Sequence, residues 1–211
     1  FVAAEDITIY GQVNAIGSNT QDSIVNILGA NVAIYGLVSA RNPLNGGKIN
    51  ISALGNLILG VNSRIRGFGS LLNFNAVSIN VDSSIIQTNN GNGRGGTINI
   101  LSSNDISMNN SVIYADGLSG GSINILSEYG SVNIVNSTVQ TNASAGRGGT
   151  IQISGLDSTY LDSSIINAQG LLYGGNIYVG NNQTSGLIPF TASLIINSSS
   201  ALNANQISVN D

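Results

Sequence analysis

Apolar and polar residues alternate along this chain in short runs, and the runs recur. Gly46-Gly47-Lys48-Ile49-Asn50-Ile51 is followed by Gly95-Gly96-Thr97-Ile98-Asn99-Ile100 and Gly120-Gly121-Ser122-Ile123-Asn124-Ile125. Gly148-Gly149-Thr150-Ile151-Gln152-Ile153 and Gly174-Gly175-Asn176-Ile177-Tyr178-Val179 continue the series. Copies without the glycines are Ile24-Val25-Asn26-Ile27, Leu71-Leu72-Asn73-Phe74 and Gln206-Ile207-Ser208-Val209. The copies start at 24, 48, 71, 97, 122, 150, 176 and 206, so the step varies between 23 and 30 residues. Period-two alternation rich in β-branched residues predicts strands. No segment combines a start cap with a 3.6-residue period, so no helix is expected.

A second motif lies further into most repeats: an apolar residue, then Asp or Asn, then Ser or Asn. Its copies begin at Val61, Val81, Met108, Val135, Leu161 and Ile196. Short Asx and Ser side chains bond nearby backbone, so this is a turn between two strands. Each repeat thus reads as three strands and three turns. In the repeat that opens at Thr97, the strands are 97–101, 105–108 and 112–115, and Asp116 to Gly121 is a Gly-rich return loop.

Some 25 residues bury no core alone, but stacked repeats do. The expected fold is all-β: a parallel β-solenoid of triangular section, with about eight coils of three short strands in one domain, residues 1–211. Coils spaced by about 4.8 Å give a rod on the order of 40 Å long. Apolar residues then form internal columns, one from Val25 to Ile207 and one from Ile27 to Val209. The position between them reads Asn26, Asn50, Asn73, Asn99, Asn124 and Gln152, six amides able to bond along the rod as an outward ladder. The last full repeat carries a longer loop, 180–190, holding Leu187-Ile188-Pro189-Phe190. Proline belongs at sheet edges and in loops.

Composition agrees with this reading. Asn (31), Ser (29), Ile (29) and Gly (27) fill over half of the 211 positions. Charged residues are 8%, because in a solenoid each charge would stack on its like. With no His and no Cys, imidazole zinc sites and Cys- or His-based nucleophiles are excluded. No cofactor is expected. A net charge of −4 with six basic residues argues against nucleic acid. No apolar run is long enough for a transmembrane helix. The chain begins at Phe1 with no Met, which suggests processing and export. Arg94 and Arg147 flank Gly-rich loops and Asp116 lies in the loop between, so an edge column Arg94–Asp116–Arg147 is a candidate site for an acidic glycan.

The Gly-Gly-x-Ile-Asn-Ile rows with Asn-Ser and Asp-Ser turns resemble the repeat region of filamentous-haemagglutinin-like exoproteins, most clearly over residues 24–179. The resemblance implies a right-handed β-helical shaft, secreted or on a cell surface, serving adhesion, matrix or surface fibres. The related β-helical pectate lyases and polygalacturonases place acids or calcium ligands outward on one sheet. Here that position carries amides, and Asp82 and Asp162 are about three coils apart, so no enzyme is expected. Solenoid ends need caps, and neither terminus looks like one. The chain ends in a first-strand copy with Ile207 and Val209, and begins with Phe1 and Val2 leading to Ile7 and Ile9. That phase suggests head-to-tail stacking of copies into an extracellular fibre. The alternative is an adhesin or fibre segment of a larger exoprotein that binds glycan or a cell surface.

Overall fold

The computed structural model describes residues 4–18, 23–42, 46–180 and 191–206. They form an all-β, right-handed parallel β-solenoid. Three sheets run along the rod, each built from one strand per coil. The first sheet holds Ser23–Gly29, Gly47–Ala53, Leu71–Ala76, Thr97–Ser102, Ser122–Ser127, Thr150–Gly155 and Asn176–Val179. The second runs from Ile7–Ile9 through Ser78–Asp82 to Ser193–Ile196. The third runs from Gln12–Ile16 through Ile85–Gln87 to Ala201–Asn203. The second and third sheets have eight strands each and the first has seven, so the described residues make seven full coils and two sides of an eighth.

Register follows the sequence repeat. Val25, Ile49, Leu72, Ile98, Ile123, Ile151 and Ile177 pair in turn, as do Ile27, Ile51, Phe74, Ile100, Ile125, Ile153 and Val179. Ile207 and Val209, the expected last members, lie outside the described residues. A second-sheet column runs Ile34, Leu59, Val81, Met108, Ile134 and Leu161. A third-sheet column runs Val38, Ile65, Ile86, Ile113, Val139 and Ile166. These side chains are at most 2% exposed from Ile34 to Ile166 and form one continuous core. Burial of such stiff β-branched columns drives the winding.

Two expectations need correction. The second motif is out of register in places: Leu59, two residues before Val61, pairs with Val81, and Val61 is half exposed. Val135 pairs with Asp162, while Ile134 supplies the core residue. The turn from Leu59 to Arg64 is one residue longer than that from Val81 to Ile85, whereas that from Ile134 to Thr138 equals the latter in length and its Val-Asn-Ser string lies one position later. The return loop also contains strand: Asn90–Arg94 pairs with Gly117–Ser119. The loops stack on one another as the sheets do.

Candidate functional site

The loop edge is built by the Gly-Gly pairs. In four of the five pairs the second glycine closes a loop at its neck by donating its N–H to the residue that ends the third-sheet side, whereas Gly47 donates to Ser70 Oγ at 2.8 Å. Gly96 donates to the Thr88 carbonyl at 3.0 Å, Gly121 to Ala115 at 2.8 Å, Gly149 to Thr141 at 2.7 Å and Gly175 to Ala168 at 2.7 Å. The requirement for glycine is steric. A Cβ on Gly121 would lie 2.1 Å from the Gly96 carbonyl oxygen, and one on Gly149 would lie 2.2 Å from that of Gly121. The residues between neck points, 89–95, 116–120, 142–148 and 169–174, project as a stacked edge. Bridges from Gly117 to Ala143, from Ala143 to Gly170 and from Gly170 to Gln206 tie it together.

The base of this edge is an Asx column. Asn89 Oδ1 accepts the Asp116 N–H at 3.1 Å, Asp116 Oδ1 accepts the Asn142 N–H at 2.7 Å, and Asn142 Oδ1 accepts the Gln169 N–H at 2.9 Å. Gln140 Nε2 donates to Asp116 Oδ2 at 2.5 Å. Burial pushes the Asp116 carboxyl above the usual carboxylate range, against the lowering effect of the Gln140 and Asn142 hydrogen bonds. Its folded pKa therefore exceeds its unfolded one, so the ionised form lowers stability at neutral pH. That penalty fades as pH falls through the folded pKa and is gone below the unfolded value. Asp116→Asn keeps the column and removes the charge. It is expected to raise the melting temperature at pH 7, with the gain disappearing by about pH 3; calorimetry at the two pH values checks this.

The Arg94–Asp116–Arg147 column does not form. Asp116 opens its loop, whereas Arg94 and Arg147 close theirs, and Arg94 is in register with Ser119. Arg147 instead donates to the Gly174 carbonyl at 3.3 Å and Asn176 Oδ1 at 3.5 Å.

On the first sheet the amides bond along the rod. Asn50 Nδ2 donates to Asn26 Oδ1 at 2.7 Å, and Asn73 to Asn50, Asn99 to Asn73 and Asn124 to Asn99 each at 2.8 Å. Gln152 continues the row in register with Asn124, between the core residues Ile151 and Ile153, and is covered where it stands. Asn73→Ala removes one bond to each neighbour. It is expected to cost about 1–2 kcal/mol in urea unfolding, at about 1 kcal/mol per bond.

A second ladder went unforeseen as a buried feature. Ser63, Ser84, Ser111, Ser137 and Ser164 line the corner between the second and third sheets and are nearly inaccessible. Ser84 Oγ accepts from Ser63 Oγ at 2.9 Å, and from there each N–H binds the next Oγ: Ser84 to Ser111, Ser111 to Ser137 and Ser137 to Ser164, at 3.1–3.2 Å. Ser84, Ser111, Ser137 and Ser164 also donate to a carbonyl two residues back. The preceding residue is left-handed, with φ between 48° and 67° at Asn62, Ser83, Asn110, Asn136 and Ser163. Asn and Ser supply that corner by local hydrogen bonding. The recurring Ser after the Asx position was the available signal.

At the rod's ends, core columns come to the surface. Ile7 and Ile9 sit on the first strand of the second sheet, half-buried, with no strand beyond it among the described residues. At the other end Leu194, Ile196 and Leu202 occupy core columns yet are 45%, 41% and 39% exposed. Phe1, Val2, Ile207 and Val209 lie outside the described residues. So does the 180–190 loop beyond Gly180, whose φ is 72° and whose N–H binds the Ile153 carbonyl at 2.8 Å.

Among the described residues no group of three His, Cys, Asp or Glu is placed to hold a metal, and no helix is long and apolar enough to cross a membrane. Comparison with protein-family models, curated proteins and solved structures gave no match. The fold itself is a parallel β-solenoid consistent with the β-helical repeat superfamily to which filamentous-haemagglutinin-like shafts belong.

Proposed function

We propose that this protein is a non-catalytic structural subunit of an extracellular cell-surface fibre, lengthened by copies of itself stacking end to end. The fold is a stackable solenoid module. The observation that supports the finer reading is that core columns open at both ends in matching places. Leu194 belongs to the column that Ile7 begins, Ile196 to that of Ile9, and Leu202 to that of Val13. A copy placed head to tail would set Ile7 over Leu194, Ile9 over Ile196 and Val13 over Leu202. Its edge N–H and C=O groups would meet the open edge of the last coil, as in strand addition.

Leu194→Lys with Leu202→Lys tests this. These side chains are already half exposed, so the inner coils keep their circular dichroism and melting. Sedimentation velocity should show concentration-dependent growth for the parent chain and none for the double variant. Equal growth of both would remove this interface.

A second reading, an adhesin-like segment of a larger exoprotein, draws on the loop edge, where exposed polar and aromatic groups gather beside a cleft.

A further inference from the structure

The loop edge has a step. In the third coil the return is only Phe68 and Gly69, whereas in the fourth it is the projecting strand Asn90–Arg94. Under that overhang lies a cleft of about 510 Å³. Its floor is apolar: Phe68 is 49% exposed and Ile16 lies beside it. Arg41 stacks on Phe68, with its guanidinium carbon 5.6 Å from the ring centre. Asn42, Asn90 and Asn92 complete the lining.

Asn42 is engaged, its Nδ2 donating to the Ser18 carbonyl at 3.1 Å. Among the described residues, the Arg41 guanidinium makes no hydrogen bond or ion pair, and Asn92 makes none through its side chain. Asn90 uses only its Oδ1, which accepts the Asn92 N–H at 3.2 Å and leaves Nδ2 to donate. None of the described lining residues is acidic. In a chain with net charge −4 and six basic residues, this is a cationic spot beside an exposed ring.

We propose that this cleft binds an acidic sugar, a hexuronate unit at the end of or within a glycan. Its carboxylate meets the Arg41 fork, which matches a planar carboxylate in two hydrogen bonds. Its C–H face lies on the Phe68 ring. Its hydroxyls accept from the Asn90 and Asn92 amides, whose exchangeable donor and acceptor ends suit a sugar hydroxyl. The cleft's size falls in the range of small-molecule sites. A sugar is favoured over a carboxylate peptide because the neutral amide donors flank an open aromatic ring; the edge of Asn90–Arg94 that pairs with no strand among the described residues makes an acidic peptide the competing ligand in the test. The site rests on the second functional reading and is independent of end stacking, so binding and assembly can fail separately.

Isothermal titration of the full chain with digalacturonate, and with its methyl ester, tests the proposal. The uronate should bind, and the ester should bind at least about tenfold more weakly, since it keeps the sugar but loses the charge-assisted pair. Arg41→Gln should weaken uronate binding by at least about tenfold. Phe68→Ala and Asn92→Ala should each weaken it severalfold, and Arg147→Gln, outside the cleft, should leave it unchanged. Asn92 is exposed, so its variant serves if Phe68→Ala alters the fold. The proposal is overturned by no uronate binding at millimolar concentration, by equal affinity for the ester, or by retention of affinity in Arg41→Gln. Binding of acetate or an acidic tripeptide as tight as the sugar's would also overturn it.

Discussion

Gly121→Val and Gly149→Val should each lower stability by about 4 kcal/mol or more, among the largest effects of single substitutions. Each added Cβ lands about 2.1–2.2 Å from a backbone oxygen of the neighbouring coil. Neither glycine has a left-handed φ, so strain in the backbone is not the cause. The clash can be relieved only by parting two coils at the neck, which breaks the ladder bonds from the Ser122 N–H to the Gly96 carbonyl and from the Thr150 N–H to the Gly121 carbonyl. Alanine should already show most of the loss, because it is the Cβ that collides. Gly91→Ala is the control: nothing lies within 4 Å of its Cβ position, and the cost should stay near that of an ordinary surface change. Urea unfolding followed by circular dichroism compares the three.

Phe74→Ala should cost about 3–5 kcal/mol, the range for removing a fully buried aromatic side chain. Phe74 is 0% exposed and stands between Ile51 and Ile100 in its column. Its coil neighbours cannot close the gap without shifting the hydrogen-bond ladders on both sides. Because each coil touches only the next, the loss should spread locally. Hydrogen exchange should quicken most around residues 49–51 and 98–100 and least near residues 151–153. Uniform quickening along the rod would mean that the coils unfold as one unit.

The core columns of the first sheet were readable because Gly-Gly-x-Ile-x-Ile marks register directly, and Val25 to Ile177 pair as the repeats align. The second corner was less legible. Its strings look alike, but Leu59 to Arg64 spans one residue more than Val81 to Ile85, so Val61 stands half exposed where its look-alike Val81 is buried. The charge column failed for a related reason. Loop membership was visible, but Asp116 stands at the base of its loop and Arg94 at the far end, a difference only pairing reveals. Gln152 occupies the amide row by sequence, yet its burial depends on what surrounds it in three dimensions. The Arg41–Phe68 cleft joins parts of four coils, and no local motif announces such a meeting.

The most direct test of stacking is electron microscopy of the purified chain over a wide concentration range. End-to-end growth predicts unbranched fibres of constant width whose length rises with concentration, with an axial repeat near 4.8 Å in diffraction. Short rods of one length at every concentration would contradict it.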